Sequence, residues 1–407
     1  MQREQGLRKR GPPSKSTTTD VRAGFSDTEK STSACQSFLK VVFVFVLLLA
    51  VFLCISYARS PISAVSISSI HDIRQFEWAQ VENKDLQRGV RILPELIGPE
   101  SLAIDEHDNL YTALADGRIV KITNPGNKDQ TVTDLTKSFD YAKGSKRRKK
   151  RPLGIRLHGS KLYFADAYQG VIMIDLKSES YDVIVRYYDV TPSLVFADDL
   201  TITSDGKTIY FTDMSLKWSY EELALFALEA ECSGRLFKVD VETKRTELVR
   251  NGLCHTNGIE LDRTETHAIV AEHNRRRLAV ISLKSGVVVR HVLLPGGPDN
   301  VRRRKDRGYW VSIPYMPEPG HFATWHPVIR NILATILGEL GILGWVDLNQ
   351  GIAVKLDENF EPVSIHYDLE GKLSRAITEI SELSDGRLAV GSFIMNGIAL
   401  VDPLPSD

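Results

Sequence analysis

Cysteine is scarce in this sequence, with four among 407 residues. That is too few for a disulfide scaffold. Two of them, Cys35 and Cys54, lie outside the repeating region described below. Net charge is nearly absent too. The formal balance is −1, so no long-range field of one sign points to nucleic acid as a partner. The chain lacks any Asn-x-Ser/Thr sequon, so glycosylation says nothing about topology. Helical periodicity is confined to a few inserts, while residues with β preference fill the repeats. The length suits one large all-β domain with appendages.

What is present is a recurring phrase. It is clearest from Phe196 to Asp213, F-A-D-D-L-T-I-T-S-D-G-K-T-I-Y-F-T-D. Leu200 and Ile202 alternate with Thr201 and Thr203, the period of a strand. Asp205-Gly206 is a hairpin turn signal, since Gly takes positive φ without steric penalty. Thr208 to Thr212 suits the return strand, and Asp198 and Asp199 stand at the head of the first. Related phrases begin at Glu100, Leu153, Asn257, Asp299-Asn300 and Ile380. Six units spaced by roughly 40 to 80 residues are the mark of propeller blades. The fold expected is therefore all-β, a six-bladed β-propeller with short helical inserts, preceded by an N-terminal transmembrane helix. A β-sandwich is the rival, but it does not explain why oxygen-bearing residues recur at one phase of the repeat.

Residues 1–40 are polar, basic and Ser/Thr-rich, and read as a disordered cytosolic tail. Residues 41–57 read as a transmembrane signal anchor. Val41 to Ile55 is unbroken apolar sequence, about 20 residues long with its flanks, enough to cross a bilayer. Lys40 can snorkel to the interface. A cleaved signal peptide is the alternative, because Ser56-x-Ala58 resembles a cleavage site, but the tail before it is long for one. Arg22, Lys30 and Lys40 before the run, against Arg59 and Arg74 after it, keep the tail cytosolic. The expectation is a single-pass type II protein, inserted by one helix, in the plasma membrane or the endoplasmic reticulum. Its propeller is then extracellular or luminal. Residues 58–75 read as a stalk and residues 76–407 as the propeller, with Phe76 to Leu93 supplying a strand that closes the ring.

Three further segments stand out. The run Lys146 to Arg151 reads as a solvated loop, or as a site for a basic-specific protease; the topology excludes a nuclear signal. Trp218 to Ala230 and Trp325 to Leu340 read as helices. The apolar face of the second is expected to pack on the domain over one mouth of the propeller, with membrane contact as the alternative. Cys232 and Cys254 stand nearly symmetrically about a hairpin turn near Glu242-Thr243. An oxidising compartment favours a disulfide between them, and two free thiols are the alternative.

The first strand of each propeller blade lines the channel. Residues at one phase near the strand heads, Glu100, Asp198, Asn257, Asp299 and Asn300, therefore converge on the axis. All five offer oxygen and none sulfur or imidazole. Three carboxylates brought together repel unless one is protonated or a cation joins them. Oxygen donors on loop positions suit Ca²⁺. The plainer reading is that Asp and Asn only shape turns at strand heads. His255, two residues before Asn257, reads as an exposed loop residue or as a group near the mouth.

The segments G-P-E-S-L-A-I (98–104), A-D-G-R-I-V-K (115–121), R-P-L-G-I-R (151–156), F-A-D-A-Y-Q-G (164–170), 198–213, T-N-G-I-E-L (256–261) and P-D-N-V-R (298–302) resemble the strictosidine synthase-like family, over about residues 90 to 402. The resemblance implies a six-bladed propeller akin to paraoxonases and gluconolactonase-type lactonases, with a catalytic calcium held by Glu100, Asp198, Asn257, Asp299 and Asn300. The family commonly has Asn where this chain has Asp198. Three departures follow from the same resemblance. Ser374-Arg375-Ala376 stands where strictosidine synthase has a catalytic Glu, which argues against alkaloid condensation. The two paraoxonase histidines are missing, with Leu153 in place of one and none near Tyr168. Ser101 stands where an acidic residue would support a second calcium.

Two functions are open on these grounds. One is a membrane-anchored, calcium-dependent hydrolase of arylesterase or lactonase type, acting on a small ester or lactone. Calcium would be its electrophile, and Asp299 or a group not identified in the sequence would activate water. The other is a non-catalytic binding or adhesion protein with a structural Ca²⁺. The topology is testable directly. Protease added to sealed microsomes should remove the tail and spare the propeller, and digestion of the propeller would reverse the orientation.

Overall fold

The computed structural model describes residues 23–67 (side chains from Gln36 on), 75–81, 83–316, 326–340 and 348–405. Residues 1–22 of the expected tail, 68–74 of the expected stalk and Trp325 lie outside the described residues. The chain divides after Ala58 into an N-terminal unit and a second unit beginning at Arg59.

The described part of the N-terminal unit is one helix, α1 (Ala23–Ala58). Its segment Gln36–Ala58, 23 residues of mean hydropathy 3.1, is long and apolar enough to span a membrane. The helix begins earlier than expected, because Ala23 to Lys40 falls in the segment read as disordered. Helix extension from an established nucleus adds one hydrogen bond per residue fixed, which favours continuing into polar sequence.

The second unit is a six-bladed β-propeller with few short helices. β1 (Gly89–Ile97) is set aside at first. Blade one is β2 (Leu102–Ile104), β3 (Leu110–Ala113), β4 (Ile119–Thr123) and β5 (Thr131–Asp134). Blade two is β6 (Pro152–His158), β7 (Lys161–Asp166), β8 (Gly170–Asp175) and β9 (Ser180–Arg186). Blade three is β10 (Ala197–Ile202), β11 (Thr208–Asp213), β12 (Gly234–Asp240) and β13 (Thr246–Leu253). Blade four is β14 (Thr256–Leu261), β15 (His267–Glu272), β16 (Arg277–Ser282) and β17 (Val288–Leu293). Blade five is β18 (Val301–Arg303), β19 (Tyr309–Ile313), β20 (Gly351–Leu356) and β21 (Pro362–Asp368). Blade six is β22 (Ile377–Glu382), β23 (Leu388–Ser392) and β24 (Asn396–Val401), completed on its outer edge by β1. The N-terminal strand thus supplies the outer strand of the last blade and joins the two ends of the ring.

Every phrase of the repeat is the inner strand of a blade, and consecutive inner strands neighbour each other around the ring. Apolar cores lie between blades. Tyr163 and Ala165 of blade two, for example, pack with Leu200, Phe211 and Phe237 of blade three.

Four inner strands share one irregularity. Pairing slips between Pro152 and Ile155, between Ala197 and Leu200, between Thr256 and Ile259, and between Ile377 and Glu379. A bulge of this kind leaves residues unpaired and re-aims their side chains. Asp198 and Asn257 sit in such bulges. Gly258 beside Asn257 is needed there, since a Cβ would lie 2.5 Å from Asn300 Cα and Asp299 O of the next blade. Hydroxyls on second strands hold the bulges in place. Thr212 Oγ1 donates to Asn257 O at 2.8 Å, and Ser312 Oγ donates to Thr378 O at 2.6 Å.

Two helices leave the ring. α2 (Leu223–Glu229) follows β11, and α3 (Pro327–Glu339) follows β19. The face of α3 expected to pack on the domain turns outward instead. The residues α3 buries are Arg330, Asn331 and Ala334. Arg330 is satisfied inside by donating to Leu228 O and Val65 O, which is how a charged side chain becomes the packing element. The basic loop is also less solvated than expected, since Arg151 is buried and donates to Gly98 O at 3.3 Å.

Cys232 and Cys254 form a disulfide that closes the β12–β13 hairpin, with 22 residues of sequence separation. Replacing both by Ala should lower unfolding stability by about 2–4 kcal/mol. Denaturant curves of the parent with reductant should then coincide with those of the double variant. A parent curve indifferent to reductant would show the thiols to be free.

Candidate functional site

The channel holds the five oxygen-bearing residues together. Glu100 precedes β2, Asp198 lies in β10, Asn257 in β14, and Asp299 and Asn300 lead into β18. All five are buried, with exposures of 2% to 6%. Each presents one buried side-chain oxygen without a hydrogen-bond partner: Glu100 Oε2, Asp198 Oδ2, Asn257 Oδ1, Asp299 Oδ1 and Asn300 Oδ1. Buried acceptors left bare are costly, and five in one place require an explanation. The amide of Asn300 is oriented by its own donor, as Nδ2 bonds Glu100 Oε1 at 2.9 Å and leaves Oδ1 free.

The carboxylates disturb one another. Burial, then the nearby Asp199 and Glu379 charges, push Glu100 up to about 8. Burial raises Asp198 well above the carboxylate range, with Glu100 and Asp199 adding to it. Asp299 is raised by burial and then by Glu100, Asp198 and Asp199. A hard divalent cation would remove both defects, by accepting the bare lone pairs and by neutralising the charge. No group of three or more His, Cys, Asp or Glu among the described residues forms a metal cluster by itself. Two of the five oxygens here are amide oxygens, and such a mixed donor set suits a hard cation with water rather than zinc.

Further along the inner strands lies a second layer, absent from the sequence expectations. Arg302 donates to Asp199 Oδ2 at 2.9 Å and to Ser101 Oγ at 3.0 Å, and it meets Glu379 Oε2 at 2.6 Å. Arg156 bonds Asp199 Oδ1 at 3.3 Å, and Thr201 Oγ1 donates to Glu260 Oε1 at 2.9 Å. Burial alone would raise Asp199, but Arg156, Arg302 and the Ile259 N–H outweigh it and hold Asp199 low. Ser101, where the resemblance expects an acid, thus serves an arginine. The fixed positive charge at this level is the guanidinium.

A cavity of ≈ 340 Å³ opens over the oxygens and is lined by Glu100, Asp198, Asn257 and Asp299. Its walls are apolar, with Phe196, Met214, Tyr315, Phe393 and Ile394, and with Leu223, Ala224 and Ala227 from α2. Leu153 is there too, in the place of one missing histidine.

Two histidines nonetheless line this cavity, His255 and His273. His255 is not an exposed loop residue. It is 4% exposed, stacks on Phe226 of α2 at 4.1 Å and lies against His273 at 4.9 Å with the rings tilted by 33°. Its backbone takes φ +55°, a left-handed conformation uncommon outside glycine and found at functional sites. Burial, then His273, hold its pKa well below the usual range. His273 Nδ1 lies 3.2 Å from Pro298 O, and since that carbonyl only accepts, Nδ1 carries the proton. Burial lowers His273 to about 4. Both rings are therefore neutral near pH 7. His273 was missed in the sequence, although the symmetry that pairs the cysteines applies to it. Thr256 pairs with Glu272 across the β14–β15 hairpin, so His255 and His273 are the next pair outward.

Two family models match the chain, "Strictosidine synthase" over residues 198–282 and "Strictosidine synthase-like, N-terminal" over residues 81–122. The adipocyte plasma membrane-associated protein of Danio rerio is 31% identical over 360 residues, 85% of each chain. The Arabidopsis thaliana protein strictosidine synthase-like 3 is 30% identical over 380 residues, 85% of this chain and 95% of that one. Among solved structures, a gluconolactonase from Xanthomonas campestris aligns with TM-score 0.51 at 12% identity, over 77% of this chain and 89% of that one. At that identity the likeness speaks for the fold alone.

The bare oxygens predict a pH dependence. Unfolded carboxyls lose their protons near pH 4, whereas the buried Glu100 keeps its proton up to about 8. Between those limits the native state binds more protons than the unfolded chain. With calcium chelated, stability should therefore fall as pH rises from about 5 to 8, and added calcium should restore it. Asp299→Asn should flatten the chelated slope and weaken the calcium response. Melting temperatures indifferent to both pH and calcium would show that these oxygens do not hold a cation.

Proposed function

The chain belongs to the adipocyte plasma membrane-associated protein family, and from that premise we propose that it is a calcium-dependent hydrolase of small apolar esters or lactones. One observation carries the reading: four residues with bare buried oxygens, with Asn300 hydrogen-bonded to one of them, form the floor of an apolar cavity that two neutral imidazoles also line. Glu100, Asp198, Asn257, Asp299 and Asn300 would hold Ca²⁺. When bound, the ion supplies electrophilic assistance to the substrate carbonyl.

The chain's own groups do the rest. Phe196, Met214 and Phe393 receive an apolar acyl or alkoxy group and exclude water around it. The histidine pair replaces Asp299 as the base. A carboxyl that serves as a cation ligand is a poor proton acceptor, whereas a neutral imidazole has a free lone pair. Attack of water on the carbonyl carbon passes its proton to this pair. Cleavage of the carbon–oxygen bond returns the proton to the leaving oxygen. With its Nδ1 proton fixed on Pro298 O, His273 keeps Nε2 as the acceptor.

Phenyl acetate and a medium-chain lactone, given to the detergent-solubilised full chain, test this. Turnover should require calcium and stop with chelator. His255→Gln and His273→Gln should each lower kcat by roughly 10²-fold or more while the calcium-dependent melting shift is kept. A full calcium shift with no turnover of either substrate would favour the non-catalytic binding protein instead.

A further inference from the structure

Helix α3 is inside out for a helix of a soluble domain. Its buried residues are Arg330, Asn331 and Ala334. Its opposite face carries Val328, Ile329 and Leu340 at 42%, 46% and 64% exposure, with Ile332, Leu333 and Ile336 half-buried between them. At 100° per residue these six form a single stripe about 140° wide, in which the one charged side chain is Glu339 in the last turn. Other exposed apolar residues of the propeller are scattered over outer strands and connecting segments and need no explanation.

The attachments of α3 indicate what covers this stripe. Ser60 Oγ donates to Asn331 Oδ1 at 3.1 Å, and the Ala64 N–H donates to the same oxygen at 3.4 Å. Arg330 donates to Val65 O, and Arg59 pairs with Glu339 at 3.6 Å. The packing side of α3 is thus tied to residues 60–65, and its C-terminal end to Arg59. Those residues directly follow the candidate membrane span, which ends at Ala58. Two residues of chain reach about 7 Å at most, and seven about 25 Å. If the span lies in a bilayer, Ser60 emerges at its surface and holds α3 there. A helix with an apolar stripe whose single carboxylate, at its C-terminal end, is paired with Arg59, kept within that distance of the headgroups, buries the stripe in the interface.

From these contacts, and resting on the reading of α1 as a membrane span, we propose that α3 lies in the membrane interface with its Val328–Leu340 stripe in contact with lipid. The arrangement also bears on the cavity. α2 packs on α3 and supplies the cavity wall of Leu223, Ala224 and Ala227. The cavity then stands one helix away from lipid.

The test uses the full chain with Cys35→Ser and Cys54→Ser, reconstituted in vesicles containing doxyl-labelled phosphatidylcholine. A polarity-sensitive fluorophore is placed on Ile329→Cys, on Leu340→Cys, on Phe45→Cys within the span, or on Thr243→Cys at the exposed β12–β13 turn. The expected result is quenching of at least about twofold at Ile329, Leu340 and Phe45, and none at Thr243. Quenching at Phe45 without quenching at Ile329 or Leu340 overturns the proposal and leaves the anchor standing. No quenching at any position overturns both. A label at Ile329 that is shielded from water yet unquenched, in a chain that cross-links to a dimer, overturns the lipid contact in favour of a second copy.

Discussion

One buried charge network ties the six blades together at the axis. Arg302 of blade five binds Asp199 of blade three, Glu379 of blade six and Ser101 at the head of blade one. Arg156 of blade two joins Asp199 and approaches Glu260 of blade four at 3.9 Å. Each blade contributes at least one member. Breaking such a network by removing one partner is costly, because it leaves an uncompensated charge in low dielectric. Several of its other acceptors are met by backbone, as where the Ile259 N–H bonds Asp199 Oδ2 at 2.9 Å. The network therefore sets the angular position of every blade at the level where the site is built.

The layer of Glu100, Asp198, Asn257, Asp299 and Asn300 has the opposite character. In the network, acids and bases are matched, and Asp199 is held low. In the oxygen layer they are unmatched, and Glu100 rises to about 8. Rigid blades prevent the oxygens from relaxing away from one another. Strain of this kind persists only where the surroundings enforce it, which is why bulges, the close-packed Gly258 and the Thr212 and Ser312 hydroxyls cluster here. A site built in advance in this way would need little reorganisation to take up the proposed cation.

The helices adapt this common ring to one chain. α2 stacks Phe226 on His255 and turns Leu223 and Ala227 into the cavity. Its other side meets α3, which is stitched to the residues following α1. The histidine pair comes from blade four and not from the segments where paraoxonases have theirs. In the proposed reaction the proton acceptor would therefore differ from what the resemblance implies, while the five oxygen-bearing residues stay together.

The sequence by itself determined the ring. The six phrases, their hairpin turns and the Cys232–Cys254 pairing are local features, separated by few residues and governed by period and turn chemistry, so they were legible without coordinates. The five oxygens were legible as well, because one phase of a repeat maps to one radius of a propeller. Tertiary structure alone decided the rest. Arg302 reads in sequence as one member of a basic run, R-R-R-K, and its partners Asp199 and Glu379 lie far away along the chain. Only closure of the ring brings them into contact. The period of α3 revealed an apolar face but not its direction. That direction was set by where Arg330 and Asn331 found acceptors and donors, in residues more than two hundred positions earlier. Periodicity reports that a face exists, and only the packed structure decides what the face meets.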